Sequence, residues 1–290
     1  VSTSPSPVKN VGIIGSGIMG SGIAEVAAKS GFNVILRSRA QASADSMLAS
    51  LDKSLAKQVE RGKLEAVDGE AIRGRVRAVT ELAELSDCDL VLESIVEDLP
   101  TKRELFGQLS EICSDAAILA TNTSTLPVVE MAMVTKNPER VCGIHFFNPA
   151  PMMALVEIAR PITASDEVIA AARAFAETCG KTVVDVRDQA GFIVNALLFP
   201  YLNNAVNLFD AGVANRDDID AAMKGGCNFP MGPLELLDLV GLDTSLAIIG
   251  ALYDEFRQPN YAPAPLLQRM VSAERLGRKT GRGFYEYSKK

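Results

Sequence analysis

Short apolar runs bounded by Gly, Ser or charged residues recur through the first 160 positions. They alternate with longer stretches whose apolar residues fall at helical spacing. Residues 11–14, 33–36, 76–79, 90–92, 117–120 and 154–158 carry the strand-type runs, and residues 21–29, 41–60 and 101–113 the helical ones. Strands too apolar to show one wet face, each followed by a helix, predict a mostly parallel, doubly wound α/β sheet. Such a sheet binds its ligand beyond the carboxyl ends of the strands. From about Gln189 onward strand-type runs cease, and helices are predicted over residues 191–209, 217–223, 233–255 and 264–276, with Pro200 expected to kink the first. The pattern therefore predicts two domains, residues 1–188 and an all-α domain over residues 189–290. The apolar face built by Phe192, Ile193, Leu197, Phe199 and Leu202 is richer than one helix of a small domain would bury alone, unless it belongs to a self-contained helical core.

The first strand runs into Gly15-Ser16-Gly17-Ile18-Met19-Gly20 and then into a helix of small residues, with a second strand after Gly31. In the order strand, turn, helix, strand, a Gly-x-Gly-x-x-Gly run is a dinucleotide-binding signature of Rossmann type. Gly15 closes the turn, Gly17 lets backbone approach a pyrophosphate, Gly20 lets helix and strand pack, and Ile18 and Met19 lie on the phosphate path. An acidic residue at the end of the second strand would take the adenosine ribose hydroxyls, but the chain reads Arg37-Ser38-Arg39 there. No carboxylate occurs between Glu25 and Asp45. Guanidinium groups suit a 2′-phosphate through forked, charge-assisted bonds, so NADP is expected over NAD, with arginines that merely solvate a loop as the alternative.

Composition narrows the chemistry. With 29 basic and 36 acidic side chains the formal charge is −7, which leaves no general positive field for nucleic acid or an anionic membrane. No run approaches the ~18 consecutive apolar residues of a membrane span. Five widely spaced cysteines without a Cys-x-x-Cys pair fit free thiols in a reducing cytoplasm, and residues 1–9 read as a loose leader. His145 is the only histidine, so a multi-histidine metal site is excluded and no metal is expected.

That histidine stands in Gly143-Ile144-His145-Phe146-Phe147-Asn148-Pro149, shortly before Leu155-Val156-Glu157-Ile158. A Glu flanked by Val and Ile is costly to bury without a partner, and His145 is the obvious one. Adjacent strands would make a carboxylate-oriented imidazole suited to proton transfer. A satisfied core histidine beside an unrelated surface Glu is the plainer alternative. Two further places fit a ligand: residues 93–102 after one strand, and Thr121-Asn122-Thr123-Ser124-Thr125 after the next, although Ser and Thr also simply begin helices.

These residues resemble the L-3-hydroxyacyl-CoA dehydrogenases, and among them the short bacterial 3-hydroxybutyryl-CoA type. The resemblance rests on the glycine turn, Glu93-Ser94-Ile95-Val96-Glu97, Thr121-Asn122-Thr123-Ser124, His145-Phe146-Phe147-Asn148-Pro149-Ala150-Pro151 and Leu155-Val156-Glu157. It continues through Gly191-Phe192-Ile193-Val194-Asn195, Asp238-Leu239-Val240-Gly241-Leu242-Asp243 and Lys279-Thr280-Gly281-Arg282-Gly283-Phe284-Tyr285. It implies His145 as catalytic acid/base, Glu157 as the carboxylate that polarises it, and Ser124 and Asn195 as ligands of the reacting oxygen. Glu97, Lys102, Asn122 and Lys279 are implied along the nicotinamide half of the cofactor, and Ser54 and Lys57, with Arg61 nearby, along CoA. The implied partners are an acyl-CoA substrate and a second copy of the chain through the helical domain. Arg37-Ser38-Arg39 departs from the family pattern, which has an acid there. A gulonate-type sugar-acid dehydrogenase would share the catalytic pair, and a non-catalytic NADP-binding protein would share only the turn. Tyr285 and Tyr287 are expected to anchor the tail by packing.

Overall fold

The computed structural model describes residues 8–287; most of the expected leader therefore lies outside the described residues. Two compact units divide between Gln189 and Ala190. In the first, the order is β1 Asn10–Ile14, α1 Ile18–Lys29, β2 Asn33–Arg37, α2 Gln41–Glu60, α3 Ala66–Gly74, β3 Val76–Val79, β4 Leu90–Glu93, α4 Leu99–Ile112, β5 Ile118–Thr121, α5 Val128–Ala132, β6 Val141–Phe146, β7 Leu155–Arg160, α6 Asp166–Thr178 and β8 Thr182–Arg187. The eight strands form one sheet in the order β3-β2-β1-β4-β5-β6-β7-β8. All neighbours are parallel except β6 and β7, which run antiparallel. This is the doubly wound Rossmann-type sheet that the apolar pattern predicts.

The strand order reverses beside β1, which lies between β2 and β4, and a doubly wound sheet binds its ligand beyond the carboxyl ends of the strands at such a switch point. Ile13, Leu36, Leu90 and Leu92 are fully buried. Removing each from water contributes about 1.5–3 kcal/mol, which fixes the strands that carry the loops of the site. Helix α4 begins where Asp98 accepts a hydrogen bond from the Thr101 N–H at 2.9 Å, with Pro100 in the first turn; capping therefore starts it two residues before the apolar spacing does.

The second unit is helical: α7 Val194–Asp210, α8 Arg216–Cys227, α9 Pro233–Val240, α10 Leu242–Phe256 and α11 Pro265–Ser272. Its core gathers Phe199, Leu202, Leu234, Leu237, Ile249, Leu252 and Leu267. The single helix predicted over residues 233–255 is two helices bent by 100°. Gly241 causes the break: its φ of +102° is outside the helical region, and it ends α9 and begins α10 at once. Pro200 lies inside α7, which continues past it.

The tail is anchored by hydrogen bonding as well as packing. Asp238, 1% exposed, accepts from the Phe284 N–H (2.9 Å), the Tyr285 N–H (2.8 Å) and the Tyr287 hydroxyl (3.0 Å). Asp220 accepts from the Tyr285 hydroxyl at 2.9 Å and from the Leu234 and Glu235 N–H groups that open α9. Burial raises the Asp238 carboxyl above the usual carboxylate range despite its three donors, and burial with the facing Asp238 pushes the Tyr287 hydroxyl up to about 12. No single helix among the described residues is long and apolar enough to cross a membrane.

Candidate active site

The glycine turn closes as tightly as its sequence requires. The Gly15 N–H donates to the Arg37 carbonyl at 3.0 Å. Gly15 has φ +112°, and a Cβ there would lie 2.3 Å from the Ser94 carbonyl oxygen; one on Gly20 would lie 1.8 Å from the Gly15 carbonyl oxygen. Only glycine lets α1 start this close to β1. Gly17 is different, because a Cβ built on it meets nothing within 4 Å. It is the N-cap of α1, without a side-chain cap and without an acid in the first turn. The opening N–H groups of α1 and their partial positive charge thus face open space, a cradle that fits the phosphates of a dinucleotide. Ile18 at its lip is 78% exposed.

At the end of β2 the buried Ser38 hydroxyl sits 2.8 Å from that of Ser16, so two neutral side chains fill the place of a ribose-binding acid. The flanking arginines differ. Arg37 is half-buried and its Nε donates to the Thr80 carbonyl at 2.9 Å. Burial lowers its guanidinium pKa, opposed by Glu81 and reinforced by Arg39. Arg39 is exposed.

Strand pairing makes the acid–base pair. The antiparallel register of β6 and β7 places His145 directly opposite Glu157, and His145 Nδ1 lies 2.8 Å from Glu157 Oε2. His145 is 7% exposed and Glu157 wholly buried. The Phe147 ring packs on the imidazole with centroids 4.5 Å apart. Beyond His145, Lys181 Nζ donates to the carbonyls of Ala150 (2.7 Å) and Met153 (2.8 Å) and pins the loop joining β6 to β7. The sequence gives no signal for Lys181, since a lysine three residues after a helix reads as surface.

The loops after β4 and β5 interlock. Lys102 is 1% exposed and its Nζ lies 2.6 Å from Glu93 Oε1 and 3.2 Å from Glu97 Oε2. Glu97 accepts from the Ser124 N–H at 3.1 Å and from the Thr123 hydroxyl. Asn122 Oδ1 accepts from the Phe146 N–H at 2.8 Å, which ties this loop to β6 beside His145. The first unit therefore brings the glycine turn, Ser38, Arg39, Glu97, Asn122, Ser124, His145 and Glu157 to one end of its sheet. Lys102 is placed behind Glu97, inside the protein.

The remaining expected residues are dispersed. On α2 the Ser54 hydroxyl donates to Glu25 at 3.1 Å, and Lys57 and Arg61 are exposed. Asn195 stands in the first turn of α7 in the helical unit, as the second residue of that helix. Lys279 pairs with Asp243 in the same unit. Among the described residues no group of three or more His, Cys, Asp or Glu side chains could hold a metal ion.

Comparison with known proteins covers nearly the full chain. Residues 10–189 match the model of the 3-hydroxyacyl-CoA dehydrogenase NAD binding domain, and residues 191–287 match that of the 3-hydroxyacyl-CoA dehydrogenase C-terminal domain. The chain is 46% identical over 277 residues to 3-hydroxybutyryl-CoA dehydrogenase of Clostridioides difficile, covering 96% of this chain and 99% of that one. It is 45% identical over 282 residues to the enzyme of the same name from Mycobacterium tuberculosis, covering 97% and 99%. The crystal structure of (S)-3-hydroxybutyryl-CoA dehydrogenase PaaH1 from Ralstonia eutropha superposes with a TM-score of 0.95 at 40% identity, covering 97% of this chain and all of that one.

Proposed function

The chain belongs to the 3-hydroxyacyl-CoA dehydrogenase family, and from that premise we propose that it interconverts a 3-oxoacyl-CoA, in particular acetoacetyl-CoA, and the (S)-3-hydroxyacyl-CoA with NADP as the hydride carrier. The observation that carries the reading is the buried His145–Glu157 pair at 2.8 Å, standing at the end of the sheet where a dinucleotide cradle opens.

When bound, the nicotinamide supplies the hydride to substrate C3 or takes it back. His145 gives its proton to the developing alkoxide in reduction and removes it in oxidation. With Nδ1 engaged by Glu157, proton exchange runs through Nε2, and the carboxylate stabilises the imidazolium and fixes the tautomer. Ser124 holds the reacting oxygen and sets the carbonyl at transfer distance, the part that the family resemblance also gives to Asn195. The opening N–H groups of α1, with Gly15, Gly17, Ile18, Met19 and Gly20, hold the pyrophosphate. Glu97 and Asn122, backed by Lys102, line the nicotinamide side. Ser54 and Lys57 on α2 are the proposed contacts for CoA.

NADP is preferred because no acid stands at the end of β2 to repel a 2′-phosphate, and Arg39 offers an exposed guanidinium to hold it. Arg37 braces the loop through Thr80 and adds positive charge. The helical unit forms a homodimer through its exposed apolar side chains; Leu197 (72%) and Val213 (67%) support this. Free cysteines, four of them buried, fit a cytoplasmic protein. A matrix of initial rates, acetoacetyl-CoA and longer 3-oxoacyl-CoA esters against NADPH and NADH, tests the reading. Inertness toward acetoacetyl-CoA and 3-hydroxybutyryl-CoA would overturn the substrate assignment, and preference for NADH the cofactor assignment.

A further inference from the structure

Glu93, the last residue of β4, is wholly buried and has no part in the proton and hydride steps above. A carboxylate at that depth is costly unless partners offset its lost hydration. Glu93 has three. Oε1 accepts from the Ile95 N–H and from Lys102 Nζ, each at 2.6 Å, and Oε2 accepts from the Thr121 hydroxyl at 2.7 Å. Two of them, Lys102 and Thr121, lead to the same short segment. Lys102 also pairs with Glu97 Oε2, and Glu97 Oε1 receives the Ser124 N–H and the Thr123 hydroxyl. The Thr121 hydroxyl in turn accepts from the Thr123 N–H at 3.1 Å. Two branches, one ionic and one through hydroxyls, thus run from a single buried carboxylate to residues 123 and 124.

We propose that Glu93 is a positioning residue for Ser124, fixing Lys102 and Thr121 so that Glu97 and Thr123 hold the Ser124 hydroxyl where it meets the reacting oxygen. This rests on the role given to Ser124 above. The physical logic is competition for one ammonium. Lys102 sits closer to Glu93 than to Glu97, 2.6 Å against 3.2 Å. With Gln in place of Glu93, Lys102 draws Glu97 toward itself and off the Ser124 N–H, and the loop after β5 loses the contact that orients its serine. Nothing in the apolar pattern announces this, because Glu93 is one acid closing a three-residue hydrophobic run.

A double-mutant cycle on the full-length protein tests it. Glu93→Gln is combined with Ser124→Ala; Thr121→Val, which keeps volume and cuts only the hydroxyl branch, runs through the same cycle and carries the test if Glu93→Gln does not fold. Coupled residues are strongly non-additive, so each variant is expected to lower kcat roughly five- to twentyfold in the wild-type background and less than about twofold in the Ser124→Ala background. Cofactor Kd, followed by nicotinamide fluorescence, is expected to change less than about threefold in both backgrounds. Equal losses with and without Ser124 would overturn the proposal and leave Glu93 as a fold-stabilising acid. Ser124→Ala with undiminished kcat would overturn the role of Ser124 itself, and this proposal with it.

Discussion

Replacing Glu157 by Gln isolates the charge of the carboxylate from its shape. Glu157 is wholly buried and faces His145 across two hydrogen-bonded strands, so the 2.8 Å contact is little screened by water. Gln keeps the volume and an acceptor oxygen, so the Nδ1–H bond survives as a neutral one. What is lost is the excess of a bond to a charged partner, about 1.5–3 kcal/mol, over the neutral bond that survives, about 0.5–1.5 kcal/mol, a difference of about 1–1.5 kcal/mol. That loss falls on the step in which imidazolium forms, which is oxidation of the hydroxyacyl thioester. At about 1.4 kcal/mol per factor of ten, single-turnover oxidation of (S)-3-hydroxybutyryl-CoA at saturating cofactor should slow roughly 5- to 13-fold. Stopped-flow absorbance of the reduced nicotinamide measures it, with cofactor Kd and the melting curve of the same preparation as controls. A slowing of less than about threefold, or a loss that follows weakened cofactor binding, would refute the reasoning.

Three other outcomes follow from the geometry. Ser38→Asp combined with Arg39→Gln should move kcat/KM from NADPH toward NADH by at least about tenfold, since the acid repels the 2′-phosphate and the cation is gone; an unchanged ratio in paired rate measurements would remove Arg39 from cofactor selection. Gly20→Ala should abolish measurable cofactor binding in a fluorescence titration, because its methyl would lie 1.8 Å from the Gly15 carbonyl oxygen; tight binding would show that the turn can relax. Asp238, whose carboxyl is raised by burial, keeps its proton in the folded protein at pH values where the unfolded chain has lost it. Its contribution to stability is therefore greatest at low pH and falls as pH rises through the raised midpoint. Asp238→Asn should remove that decline from a plot of Tm against pH just above the ordinary carboxylate range, and an identical slope in both proteins would contradict it.

Much of the first unit is legible because its strands are buried on both faces and read as unbroken apolar runs. The glycine turn is legible because its steric demands admit one residue type. Strand β8 escapes notice since it lies at the sheet edge, where Thr182, Asp185 and Arg187 interrupt the apolar signal. The break at Gly241 escapes because a single glycine in an apolar helical stretch is tolerated as often as not, and only the observed φ of +102° shows the chain turning. The His145–Glu157 pair could be suspected from one costly acid in a strand; the register that joins the two residues is a long-range property of the sheet. Lys102 shows the opposite limit, because a lysine near a ligand loop reads as a contact, and its burial between two acids is set by tertiary packing. The anchoring of Tyr285 and Tyr287 is likewise hidden, since their aromatic rings suggest packing and the buried aspartates that receive their hydroxyls lie far back in the chain.

The acid and its base belong to one hairpin-like segment, residues 141–160, and are brought together by the ladder between its two strands. The intervening loop, pinned by Lys181 at the carbonyls of Ala150 and Met153, carries none of that pairing. Proton chemistry and loop composition are therefore separable inheritances. Exchanges at the exposed positions of that loop, such as Met152, leave the ladder that aligns imidazole and carboxylate untouched, whereas a one-residue slip between the strands turns Glu157 to the opposite face of the sheet and dissolves the pair at a stroke. A lineage is thus free to explore new contacts around the site through that loop while its acid–base unit is copied unchanged.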